Sequence, residues 1–385
     1  MRYEELDSLR GIAALIVLFG HFLFIFPTIG NEIDSKYGLF FSILWSGHSA
    51  VIIFFVLSGF VLTMPFIGSQ KQLYRKYITK RICRIYIPYL TVVTVAVVMK
   101  ISLYSKIGTI PGLIQWGRWD IDVTFSRIID HIIFLGHFNS DAFLMVIWSL
   151  VHEMRISLIF PLIALFVIKF GWKKSIGLAL ILSVVSFTLI HTFSTEFNTT
   201  VSTNYFITLH YSSMFVIGSL LAVNREYLIR NFNRVKAFYF LIPLSLFLLS
   251  FPGVTVRIVA KFFGKMNDTL AFIVTDWTIL CGAVLIILLS LSSKAFSGLL
   301  LLKPIHFLGK ISYSLYLVHP VILITMVHIL FGTIPKQLIL FISFIISLLV
   351  SWLCYKFIEK PAITLGKYLT KQKTSKSIQN KEASA

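Results

Sequence analysis

The sequence predicts an all-α membrane protein, a polytopic bundle of about ten transmembrane helices with both termini in the cytoplasm. Three observations predict it. Hydrophobic residues make up 57% of the 385 and charged residues only 13%, where a soluble chain is about one quarter charged. Leu, Ile and Phe gather in blocks of about twenty, long enough to cross about 30 Å of hydrocarbon. The basic residues, which give a net charge of +19, are divided unevenly between alternate loops.

The apolar blocks place spans at roughly 9–29, 40–64, 85–104, 142–168, 174–193, 204–223, 236–252, 269–291, 309–331 and 337–357. Lys71, Arg75, Lys76, Lys80, Arg81 and Arg84 lie in the loop after the second span. Arg225, Arg230, Arg234 and Lys236 follow the sixth, and the tail from 358 carries six lysines. The alternate loops hold more acids: Glu32, Asp34, Asp120, Asp122, Asp130 and Glu196. About 25 basic residues fall on one side and about eight on the other, so the N-terminus and C-terminus are expected inside. The same division accounts for the net charge without nucleic acid, since no exposed domain interleaves basic and aromatic residues.

The first apolar run, Ile12 to Phe26, has no small-residue cleavage site after it and reads as an uncleaved helix. Residues 105–141 form the longest outer loop, and its 125–138 stretch, FSRIIDHIIFLGHF, is amphipathic and lies at the interface or re-enters. Residues 367–385, rich in Lys, Ser, Gln and Asn, read as a disordered basic cytoplasmic tail. Cys83, Cys281 and Cys354 are isolated, so neither a disulfide framework nor a metal site is expected.

Ionisable groups inside a span are costly, so each is a candidate for function. Arg10 and His21 stand eleven residues apart. That is about 1100° of helix, about 20° past three full turns, so both share one face about 16 Å apart along the axis. A guanidinium at the cytoplasmic mouth suits a phosphate-bearing donor. A histidine near the membrane middle can take a proton from a hydroxyl or attack an acyl carbonyl itself. The bland alternative is a topology arginine and a packed histidine. Arg81 and Arg84, three apart in KRICRIYIPY, share a face and form either a membrane anchor or a second phosphate clamp.

In the fourth span, WSLVHEMRISLIFPL, Glu153 and Arg155 are about 200° apart and cannot face one neighbour. One arrangement turns Glu153 towards His21 or Arg10, where a carboxylate orients an imidazole; the alternative is a packing charge pair. His48, at the outer end of the second span, is a site or interfacial residue. His319, before Pro320, and Trp148 are weaker substrate candidates. Asp276 and His210 are weak candidates as well. His131, His137, His191, His306 and His328 are assigned to loops or interfaces, and Glu359 to structure.

These segments resemble the acyltransferase-3 family of membrane acyltransferases. LDSLRGIAALIVLFGHF resembles the family's opening, in which Arg10 and His21 match its Arg-to-His spacing. VIIFFVLSGFVL resembles the second-span motif. RICRIYIPY resembles the Arg-x-x-Arg motif through Arg81 and Arg84, and WSLVHE the Trp-Ser-Leu-x-x-Glu motif through Trp148 and Glu153. LGKISYSLYLVHP and FIEKP resemble the late motifs. The matches keep the family's order from residue 6 to 361. One departure is the run MRISLIF, where many members carry aromatics, which suggests a subgroup.

The resemblance implies a transmembrane acyltransferase domain over 1–366 in a stand-alone form without the esterase-like domain of many relatives. It implies a membrane O-acyltransferase of the bacterial cytoplasmic (inner) membrane, most simply an O-acetyltransferase. This would move an acyl group from cytosolic acetyl-CoA, or another acyl-CoA, to a sugar hydroxyl of a cell-envelope or exported glycan. On this reading His21 and Glu153 are catalytic, Arg10, Arg81 and Arg84 hold the coenzyme phosphates, and His48, Trp148 and His319 meet the acceptor. Expected partners are acyl-CoA, a glycan or glycolipid, membrane lipid, and a second copy or a glycan-assembly protein. Two rivals remain. One is a flippase for a lipid-linked saccharide with a His21–Glu153 proton relay, although no inverted repeat is visible. The other is a non-catalytic subunit of a polysaccharide assembly machine.

Overall fold

The computed structural model of the chain describes residues 3–68, 73–107, 110–193, 203–232 and 238–371, with only the backbone at 104–107 and 238–239. Arg2, Lys71, Glu196, Arg234, Lys236 and the tail from 372 lie outside the described residues. Every regular element described is helical. The helices are α1 (Glu4–Phe24), α2 (Pro27–Phe41), α3 (Gly47–Ile67), α4 (Tyr74–Ile107), α5 (Phe125–Ile133), α6 (Ile147–Phe193), α7 (Tyr205–Val223) and α8 (Arg225–Phe232). They continue with α9 (Phe238–Ser250), α10 (Gly253–Phe263), α11 (Asp268–Ser292), α12 (Lys294–Leu300), α13 (Lys303–Leu330), α14 (Lys336–Cys354) and α15 (Lys360–Leu369).

Among the described residues eight helices are long and apolar enough to cross a membrane, or nine if the bent pair of α9 and α10 is one span. The 47-residue α6 would reach about 70 Å if straight, over twice the hydrocarbon thickness. It is not straight. Gly171 stands at φ 72 and ψ −176, a conformation open to glycine and strained for other residues. His152 on one arm and Ser183 on the other both bond within one stretch of α7, at Thr208 and His210. The chain therefore doubles back at Gly171, and two arms stand where the sequence predicts its fourth and fifth spans.

Several boundaries shift. The second span begins at Gly47, after a short 3-10 turn at Ser42–Trp45. The third begins at Tyr74, not 85, so Arg81 and Arg84 stand within α4 and not in a loop. At the end of the seventh span, expected over 236–252, the chain bends by 78° into α10. Residues expected in the following loop are thus helical. The last span runs through a π-helical turn at Tyr355–Glu359 into α15. In that turn the Glu359 carboxylate accepts from Ser314 Oγ at 2.6 Å.

Helices meet most closely where glycines replace side chains. A Cβ on Gly59 would lie 2.3 Å from the Phe215 carbonyl oxygen, and one on Gly218 2.1 Å from that of Val56. Thus α3 and α7 cross backbone to backbone. Small residues allow such approaches where lipid offers no hydrophobic drive to associate. Gly11 and Gly309 do the same for α1 and α13, which sets His21 level with His319. Hydroxyls add polar ties: Ser49 donates to the Leu249 carbonyl at 2.7 Å, and Ser245 to that of Gly282 at 2.9 Å.

The described residues between α4 and α6 fold against the bundle. Ile114 N–H donates to the Ile25 carbonyl at 3.1 Å, which brings Trp116 edge-on to His21, with centroids 5.4 Å apart. Thr124 caps α5, whose last turn ends at Phe134 in the left-handed region. Phe134 is buried against Tyr89, with centroids 4.1 Å apart. Arg155 ties the loops together by donating to the carbonyls of Leu135, Gly136 and Thr203. His131 and His328, assigned to loops or interfaces by the sequence, are both buried. Each donates Nδ1–H to the carbonyl four residues earlier, Arg127 and Ile324. Burial pushes the His131 imidazole below its usual range.

Candidate active site

Two cavities of the bundle take in candidate residues. The first, about 280 Å³, is lined by Arg10 from α1, Ser58 from α3, Arg81 and Arg84 from α4, Glu153 from α6 and Tyr313 from α13, among others. The second, about 300 Å³, is lined by His21, His48, Val146, Trp148 and Phe272. Val51 and Tyr316 line both and so form the wall between them. The Tyr316 hydroxyl is tied at that wall, 2.7 Å from Ser149 Oγ and 3.3 Å from the Val146 carbonyl.

In the first cavity Arg81 donates Nη2–H to Glu153 Oε1 at 2.7 Å and Nε–H to Ser157 Oγ at 3.2 Å. Ser58 Oγ donates to the same Glu153 oxygen at 3.3 Å. Arg81 is thus committed to a carboxylate, whereas Arg84 is exposed at the rim with Lys80. Arg10 lies 3.5 Å from Asp7. Four cations against one lining carboxylate leave the cavity electropositive, as an anion site requires.

In the second cavity His21 Nδ1 lies 2.9 Å from Nε2 of His319. His319 is fully buried, and its Nδ1 is 2.8 Å from the Leu315 carbonyl. A carbonyl only accepts, so His319 carries its proton on Nδ1. In the neutral pair its Nε2 then accepts from His21 Nδ1–H. His21 is left with a lone pair on Nε2, the form in which an imidazole acts as base or nucleophile.

The Glu153 carboxylate does not orient His21, contrary to the arrangement favoured from sequence. The two line different cavities, and Glu153 is held by Arg81 and Ser58. A direct His21–Glu153 proton relay is therefore not assembled either. Arg10 and His21 share α1 as expected, yet each borders its own cavity. Trp148 stacks near His48, with centroids 6.3 Å apart and planes at 21°. His48 lines the second cavity, and its partner is Asp276, which the sequence ranked low. Nε2 of His48 is 2.6 Å from Asp276 Oδ1, and Nε2 of His210 is 3.2 Å from Oδ2. A buried acid in an apolar span was the available signal. Among the described residues no group of three or more His, Cys, Asp or Glu is arranged to hold a metal ion.

A family model described as an acyltransferase domain matches residues 3–356. Curated relatives include proteins named O-acetyltransferase OatA from Staphylococcus aureus strains NCTC 8325 / PS 47 and COL. Each is 27% identical over 336 residues, covering 83% of this chain and 53% of the relative. The chain thus spans about half the length of the curated relatives it matches. No solved structure matches it.

Proposed function

The chain belongs to the acyltransferase-3 family, as a multi-pass membrane protein carrying that family's acyltransferase domain, and from this we propose that it is an O-acyltransferase. The proposed reaction moves an acyl group, most simply acetyl, from cytosolic acyl-CoA to a sugar hydroxyl of a cell-envelope or exported glycan. The host membrane is the bacterial cytoplasmic membrane, with the Arg10 end facing the cytosol. Loop charge supports that orientation. The relatives named O-acetyltransferase support the choice of acetyl.

The observation that carries the reading is the shared wall at Val51 and Tyr316 between a basic cavity and the cavity holding His21. The coenzyme phosphates fit Arg10, Lys80 and Arg84 on one side. Arg81 and Glu153 shape that cavity as a pair. The thioester reaches past Tyr316 to His21, whose Nε2 attacks the acyl carbonyl or deprotonates the acceptor. Trp148 and Phe272 offer flat apolar faces to a sugar ring, with His48 as a polar contact.

The test uses the purified protein in lipid nanodiscs. Isotope exchange between acetyl-CoA and free CoA, or net loss of acetyl-CoA, is expected from the wild type and not from His21→Ala. Equal turnover by the two proteins would overturn the reading. A carrier of lipid-linked saccharide would instead move its cargo with acetyl-CoA untouched.

A further inference from the structure

Asp276 is a carboxylate with no solvent exposure in an apolar helix, and it faces two imidazoles at once. Such a group is costly to bury and is retained in a span for a task. The hydrogen-bond directions around it are fixed by chemistry. Trp277 Nε1–H can only donate, and it does so to Ser183 Oγ at 3.1 Å. The carboxylate oxygen Asp276 Oδ2 only accepts, so His210 carries its proton on Nε2, 3.2 Å away, and in the neutral ring its Nδ1 accepts from Ser183 Oγ at 3.0 Å. The other oxygen, Oδ1, accepts from His48 Nε2. Nδ1 of His48 is therefore the lone-pair nitrogen, on a side chain 34% exposed that lines the same cavity as His21.

We propose that this cavity holds two imidazoles with divided work: His21 carries the acyl group, and His48, positioned by Asp276, takes the proton of the acceptor hydroxyl. The proposal rests on the acyltransferase reading above. In the first half, His21 Nε2 bonds to the acyl carbon, the C–S bond breaks, and sulfur leaves as the CoA thiolate. In the second, the hydroxyl oxygen bonds to the acyl carbon and the bond to Nε2 breaks, returning its electron pair to His21. The hydroxyl proton moves to His48 Nδ1, where Asp276 offsets the new charge, and leaves through the open side of the cavity. His21 Nδ1 is tied to His319 throughout. A second base spares His21 from carrying acyl group and proton together. Asp276 is a positioning residue, and His210 and Ser183 hold its second oxygen.

The test separates the halves in nanodiscs. Exchange between acetyl-CoA and labelled CoA reads the first. Loss of label from the acetylated protein reads the second, with water and a mixture of hexose and N-acetylhexosamine oligosaccharides as acceptors, so release is scored whatever takes the acyl group. His48→Ala and Asp276→Asn are expected to lower release at least a hundredfold and exchange less than threefold. Added imidazole is expected to restore at least a tenth of release to His48→Ala. Equal loss in both halves, unchanged release, or release that imidazole does not restore would each overturn the division of work. Absence of exchange in a wild type that still consumes acetyl-CoA would overturn the acyl-His21 step, whereas absence of both exchange and acetyl-CoA consumption would instead remove the acyltransferase reading itself.

Discussion

His319 Nε2 stands 2.9 Å from His21 Nδ1, and the Leu315 carbonyl behind it leaves that nitrogen as an acceptor. The pair fixes the His21 tautomer from a helix 298 residues away in sequence. His319→Ala is expected to fold and to lower acetyl-CoA turnover by about 10²-fold, the lower end of what a positioned acid–base group supplies. His319→Gln, whose side-chain oxygen can still accept from Nδ1–H, is expected to keep more activity than the alanine variant. Turnover rates beside unfolding midpoints check both.

Removing the imidazole itself has the larger effect. His21→Ala is expected to lower turnover by about 10⁴-fold with no change in unfolding midpoint beyond that of His319→Ala. Single-turnover kinetics with labelled acetyl-CoA measure it.

Arg81 and Glu153 are 10% and 18% exposed and 2.7 Å apart. Removing one partner strands the other, so Arg81→Ala is expected to cost about 3 kcal/mol. The double change Arg81→Met with Glu153→Leu is expected to recover most of that stability while acetyl-CoA turnover stays low. Denaturation in nanodiscs, run beside the activity assay, distinguishes a packing pair from a functional one.

Arg84 stands exposed at the rim of the basic cavity. Arg84→Gln is expected to raise KM for acetyl-CoA about tenfold with little change in kcat, the signature of lost uniform binding. The penalty should vanish with acetyl-pantetheine, which carries no phosphate. Steady-state kinetics with both donors test this.

The crossing of α3 and α7 leaves no room at Gly59, where a Cβ would press on the Phe215 carbonyl. Gly59→Val is expected to destabilise the bundle by about 1–3 kcal/mol and to lower activity only as folded protein is lost. The folded fraction and the activity per folded molecule, measured together, check it.

The spans were legible because twenty apolar residues have few alternatives to crossing a bilayer. That Arg10 and His21 share one helix, and Arg81 and Arg84 another, was legible from spacing within single segments. What spacing cannot supply is the neighbouring helix. Periodicity set the angle of Glu153 on its helix but not the identity of what it met, which is Arg81 and Ser58, not His21. His48 and Asp276, 228 residues apart, could be joined only once the bundle was assembled. The bend between α9 and α10 was missed because α10 carries Arg257 and Lys261 among its apolar residues and was read as loop, not as a second limb of the span.

The partition at Val51 and Tyr316 bears on the energetics of the host membrane. A passage open at both ends would dissipate the ion gradients that the membrane stores. With acyl transfer handed across a wall, the only cargo to change sides is a few atoms bonded to a side chain, while the nucleotide carrier stays in its own pool. On the proposed function, the cell decorates its exterior with no loss of coenzyme and no electrical leak.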